Sequence, residues 1–166
     1  TGAPPVLSVN GLANGPNREL LRGMVEYLNG ETWDFSPANL FDLAKQAREL
    51  RVVQVSSFFP DVPADQYHST GFVKRVRRAI AVAYAVGLIP QFPYDVYAGR
   101  QPRWFGTWEE YAEPYEFVRM HRQIFDDHEA RSLEEKAGTI VITAENTETG
   151  LEIKHVIGPD GAWKVE

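Results

Sequence analysis

The chain has 166 residues, 17 of them basic and 23 acidic, for a net charge of −6. That length suffices for one domain with a substantial core and not for two large ones. The acidic balance argues mildly against nucleic acid or an anionic membrane as the main partner. With 43% hydrophobic residues and no cysteine, the composition is globular and excludes disulfides, thiolate metal sites and a cysteine nucleophile.

Taken in chain order, Val6-Leu7-Ser8-Val9-Asn10 is a short apolar run ended by Gly11 and reads as a buried strand. A loop at 14–17 leads into one helical turn at 18–22. A second strand is predicted at 24–28, interrupted by Glu26. Ser36-Pro37 is a helix start, with Ser36 as the cap and Pro37 in the first turn. Leu40, Leu43, Ala44, Ala47 and Leu50 then recur at helical spacing, which predicts an amphipathic helix over 37–50. Val52-Val53-Gln54-Val55 marks a third strand within 51–59.

After a loop holding Pro63, Ser69 or Thr70 caps a helix from Gly71 whose apolar positions are Phe72, Val76, Ile80, Ala83 and Val86. Lys74, Arg75, Arg77 and Arg78 fall largely on the other side and read as a solvated face. Gly87 ends that helix, and Leu88 to Phe92 is a fourth strand. Thr107-Trp108-Glu109-Glu110 matches a capping box. The helix that follows is expected to bend or restart at Pro114 and to carry His121 and His128 on its surface. Strands at 139–143, 151–157 and 162–165, separated by turns, make a short antiparallel tail. Strand and helix in regular alternation imply a parallel sheet with right-handed crossovers; doubly wound sheets and (βα)8 barrels both fit. In either, ligands sit at the C-terminal ends of the strands.

The segment Arg78-Ala79-Ile80-Ala81-Val82-Ala83-Tyr84-Ala85-Val86-Gly87-Leu88-Ile89-Pro90-Gln91-Phe92-Pro93-Tyr94-Asp95-Val96-Tyr97 carries a family likeness. It is joined by Phe105-Gly106, by Glu109-Glu110-Tyr111-Ala112-Glu113-Pro114-Tyr115-Glu116-Phe117-Val118-Arg119 and by Ile124-Phe125-Asp126. Together they resemble the last strand and last helix of bacterial TIM-barrel glycoside hydrolases, the β-galactosidase-like group and its uncharacterised relatives. The resemblance covers residues 72–129 and is compatible with 6–59. It implies an α/β chain whose parallel βα units, over 1–130, form half of a (βα)8 TIM-type barrel, strands five to eight, with a short antiparallel β tail at 131–166. Half a barrel leaves open edges, so the resemblance also implies a partner: another copy of the chain or a chain carrying the other half.

A glycosidase generally needs two carboxyl groups at the strand ends. Glu31, after the second strand and a glycine that lets the backbone turn, and Asp95, after the fourth, are the candidate catalytic pair. The plain alternatives are a solvated loop acid for Glu31 and a structural carboxylate bonded to Arg100 or Arg103 for Asp95. Asn10, Tyr27, Trp33, Tyr94, Arg103 and Trp104 are the candidate substrate-binding residues, the aromatic ones because ring faces stack on sugars. In the retaining barrel enzymes the two acids follow the fourth and seventh strands; here the equivalent of the seventh ends in Ser56-Ser57-Phe58-Phe59, without an acid. The expected function is therefore a carbohydrate-active barrel, a glycoside hydrolase completed by its partner. The alternatives are a non-catalytic carbohydrate-binding or accessory subunit and a structural fragment of a longer enzyme. His68, His121, His128 and His155 show no ligand spacing and no Gly-rich phosphate loop occurs, so no metal, cofactor, nucleic-acid or membrane partner is expected. The compartment stays open; a secreted or periplasmic bacterial setting is compatible with the absence of cysteine.

Overall fold

The computed structural model describes residues 6–16, 18–91 and 106–166. Strands β1 (Ser8–Asn10), β2 (Tyr27–Thr32), β3 (Val53–Phe58) and β4 (Ile89–Pro90) form a parallel sheet in the order β1-β2-β3-β4. An order without reversal, connected with one hand, places the crossovers on a single face. Helices α1 (Pro37–Leu50) and α2 (Thr70–Val86) pack there, α1 against β3 and α2 against β4.

Both helices begin and end where local chemistry requires it. The Ser36 and Ser69 side chains accept from the backbone N–H groups of Asn39 and Phe72, taking up donors of each first turn. Gly87 ends α2 in the left-handed region at φ 96°, which glycine adopts without cost. All five apolar positions of α1 read from spacing are buried. On α2 the consecutive residues Ala79 to Ala83 are all buried. A helix apolar on every side must be covered on more than one side.

What covers it is a second sheet. Strands β5 (His128–Lys136), β6 (Thr139–Asn146), β7 (Glu152–Ile157) and β8 (Trp163–Val165) pair antiparallel in sequence order. α1 touches β5, and α2 touches β5, β6 and β7. Ala130, Ile140, Ile142 and Ile157 thereby join Leu28, Leu43, Phe58 and Ile80 in one hydrophobic cluster.

This arrangement corrects the expected half of a (βα)8 barrel. Only three α-helices occur among the described residues, and the link from β1 to β2 holds just a 3-10 turn, Arg18–Leu21. That link has no apolar stripe to bury: Leu20 is 70% exposed and Met24 64%. The antiparallel part is no short tail, since it has as many strands as the parallel sheet and shares its core. Its first strand runs across residue 130 and contains His128, which the sequence places on a helix. His-Glu-Ala-Arg-Ser-Leu-Glu-Glu-Lys is rich in helix formers, and pairing with β6 over 128–136 overrides that preference.

Helix α3 (Trp108–Met120) carries the expected capping box, with Thr107 and Glu110 exchanging side-chain-to-backbone bonds. It neither breaks nor restarts at Pro114, which lies buried inside it. Proline cannot donate to the carbonyl four residues earlier, which is that of Glu110; Arg77 Nε donates to the Glu110 carbonyl instead. The basic face of α2 is accordingly engaged rather than merely solvated: Arg75 pairs with Asp61, Arg77 with Glu113, and Arg78 with Glu135. Thr107→Ala removes the cap of α3 and should lower stability by about 1 kcal/mol, read from the shift in the urea midpoint; an unchanged midpoint would show that tertiary contacts alone hold the helix start.

Candidate functional site

The face of the parallel sheet opposite α1 and α2 follows from strand alternation. Leu28, Gln54 and Phe58 point toward the helices and are at most 1% exposed. The opposite row consists of Ser8 and Asn10 on β1, Tyr27, Asn29 and Glu31 on β2, Val53, Val55 and Ser57 on β3, and Ile89 on β4. Toward the N-terminal side of the strands this face is apolar, with Tyr27, Val53 and Ile89 each about two-fifths exposed (38%, 37% and 42%). Toward the C-terminal side it is polar.

The polar end is ordered by hydrogen bonds. Ser57 Oγ donates to Gln91 Oε1 at 2.6 Å, and Gln91 Nε2 donates to Asn29 Oδ1 at 3.5 Å. Gln91 is itself held by its backbone, whose N–H reaches Ser56 O at 2.9 Å and whose carbonyl accepts from Tyr115 Oη at 2.9 Å. Burial pushes the Tyr115 phenol far above its usual range, so it stays a donor. Asn10 lies directly opposite Asn29 in register, and Glu31 opposite Ser57. Both asparagines are exposed, and among the described residues neither the Asn29 Nδ2 group nor the Asn10 amide makes a hydrogen bond.

β2 is displaced from its expected position. It spans 27–32, not 24–28, so Asn29, Gly30 and Glu31 lie within the strand rather than past it. Gly30 does not turn the chain. Its missing side chain makes room for the loop after β1: a Cβ there would meet Gly11 O at 2.4 Å and Leu12 Cδ2 at 2.5 Å. The same loop is fastened by the buried Gln54, whose Oε1 accepts from the Ala13 N–H at 2.9 Å and whose Nε2 donates to Leu28 O at 3.2 Å. The positions of Asn10 and Glu31 therefore depend on residues packed on the helix side of the sheet.

Of the candidate residues, Asn10, Tyr27 and Glu31 come together on one face. Trp33 lies just beyond β2, stacked on Phe59 with ring centroids 4.9 Å apart, and is 55% exposed. Asp95, Tyr94, Arg103 and Trp104 lie outside the described residues. Asn29, Ser57 and Gln91 complete the row and were not singled out as site residues by sequence; the period-2 alternation from Tyr27 and Val53 was the signal that could have found the first two. Glu31 is the only carboxylate in the four parallel strands. Among the described residues no group of three or more His, Asp or Glu is placed to hold a metal ion, and no helix is long and apolar enough to cross a membrane.

The fold and this face define an α/β protein with an exposed polar row at the C-terminal end of a parallel sheet, where such sheets bind ligands. No family model matches the chain, and neither a curated protein nor a solved structure matches it.

Proposed function

We propose that the polar end of the parallel sheet binds carbohydrate. The observation that carries this reading is the row of exposed, uncommitted amides, Asn10 beside Asn29, next to the Ser57–Gln91 pair and the Glu31 carboxylate. A sugar hydroxyl is at once donor and acceptor, and an amide offers both roles from a planar group. Tyr27 and Trp33 flank the row with exposed ring surface, the usual complement to the apolar faces of a pyranose. The family resemblance of residues 72–129 points to the same ligand class.

Glycoside hydrolysis is the second reading, favoured by Glu31 lying on this face. It requires a second carboxyl group at roughly 5–9.5 Å, for which Asp95 remains the sequence candidate. Binding and catalysis separate in one experiment. Calorimetric titration with galactose, glucose, mannose and their short oligosaccharides should show binding that Asn29→Ala weakens by roughly two- to tenfold, the worth of one hydrogen bond. Glu31→Gln should weaken binding similarly if Glu31 only holds hydroxyls. If Glu31 is an acid or nucleophile, the same change should instead cut kcat by several powers of ten. Absence of any saccharide binding, or binding indifferent to both substitutions, would dismiss the reading.

A further inference from the structure

Beside the polar row, and separate from it, a cleft of about 250 Å³ opens between the segment following β2 and the exposed side of α2. Trp33 forms the boundary between the two regions: it follows Glu31 by two residues on the sheet and also lines the cleft. The walls are Asp34 and Phe35 on one side and Asp61 and Arg75 on the other.

The polar groups of this cleft are held in place and partly open. Arg75 pairs with Asp61, and both side chains are about half exposed. The guanidinium is fixed from behind by two rings, Phe35 at 5.4 Å and Phe72 at 5.2 Å from their centroids. Such contacts orient a planar cation without consuming its N–H donors. Asp34 Oδ1 accepts from the Ser36 N–H at 2.9 Å, and a carboxylate has acceptor sites on its second oxygen as well. An arginine–aspartate pair with balanced charge offers an anion no net attraction. It does present donors and acceptors side by side next to an exposed indole, which is what a neutral polyhydroxylated ring requires.

We propose that this cleft is a second sugar subsite, continuous across Trp33 with the row at the sheet end, so that the ligand is an oligosaccharide rather than a single sugar. The inference rests on the carbohydrate reading of the polar row. The volume supports a subsite and not a whole site, since about 250 Å³ falls below the roughly 300–1,000 Å³ of pockets that enclose complete drug-sized ligands.

The test is a length series. Linear oligosaccharides of one to four galactose, glucose, mannose or xylose units are titrated into the wild-type chain, Asp61→Asn and Arg75→Met, with circular dichroism confirming that each variant is folded. Asp61→Asn keeps the shape and leaves the packing of Arg75 on its two rings in place, so it reports on the cleft even if Arg75→Met destabilises α2. In the wild type, affinity should rise by roughly tenfold between one and three units, equivalent to one stacking and one or two hydrogen-bond contacts. Both variants should flatten that rise and leave the monosaccharide affinity unchanged. Affinity independent of length, or a rise preserved in both variants, would overturn the subsite while leaving the polar row as a sugar site. Failure of every saccharide to bind would remove the carbohydrate reading and the subsite with it.

Discussion

Gly30→Ala should destabilise the fold by about 3 kcal/mol, at the upper end of what overpacking costs, and should weaken ligand binding as well. The added Cβ would lie 2.4 Å from Gly11 O and 2.8 Å from Gly11 C. Those are backbone atoms, so no rotamer change relieves the clash. Either β2 moves away from the loop after β1, or that loop lifts and pulls the Ala13 N–H off the buried Gln54 Oε1, leaving polar groups unpaired in the core. Both responses change the spacing of Asn10 against Asn29. Urea denaturation and saccharide titration on the same variant check the two consequences. An unchanged midpoint would mean that the loop accommodates the methyl group freely and that Gly30 does not fix the site.

Acid should destabilise the protein through His155, by about 3 kcal/mol in total between pH 6.5 and pH 4. The imidazole is 1% exposed and packs between Phe125, at 5.5 Å, and Trp163, at 5.7 Å. Its Nδ1 accepts from Trp163 Nε1 at 3.3 Å, so a proton there would point at another donor. Burial, with a smaller contribution from the nearby His128, lowers its pKa from 6.5 to about 4. The unfolded chain takes up the proton near pH 6.5 and the folded chain only near pH 4. Stability is therefore intact above pH 6.5, falls by about 1.4 kcal/mol per pH unit below it, and stops falling on this account below about pH 4. His155→Phe keeps the ring stacking and removes the titration. Its loss of stability between pH 7 and pH 4.5 should be smaller than the wild type's by most of that amount; equal losses in the two proteins would clear His155 of the effect.

The features legible from the sequence were those whose cause is local. Ser36-Pro37, Ser69, Gly87 and the Thr107–Glu110 box set helix starts and stops within a residue or so, because a cap satisfies backbone groups only two to four positions away. The apolar spacing of α1 likewise identified its buried face. Of the site, Asn10, Tyr27 and Glu31 were picked out as strand-end residues, and they do share one face. The reasoning attached to Glu31 did not hold, since Gly30 is a packing position inside a strand and not a turn.

The remainder depends on partners far away in the chain. Tyr-Leu-Asn-Gly-Glu-Thr has poor strand propensity, yet it becomes β2 because β3 offers a matching ladder over six residues. β5 is a strand because β6 pairs with it, against its own helix-forming composition. Pro114 stays within α3 because Arg77, from α2, takes the carbonyl that proline cannot serve. His155 has no sequence signal for burial; Phe125 and Trp163 from other elements enclose it. By itself, then, the amino-acid sequence determined the helices, their caps and the alternating parallel part of the chain. The tertiary structure alone decided that a second full sheet covers the helices, which sheet face stays open, and that Asn29, Ser57 and Gln91 join Glu31 there. Hydrogen bonds between strands and contacts between layers join residues tens of positions apart, and no local pattern encodes which of them will meet.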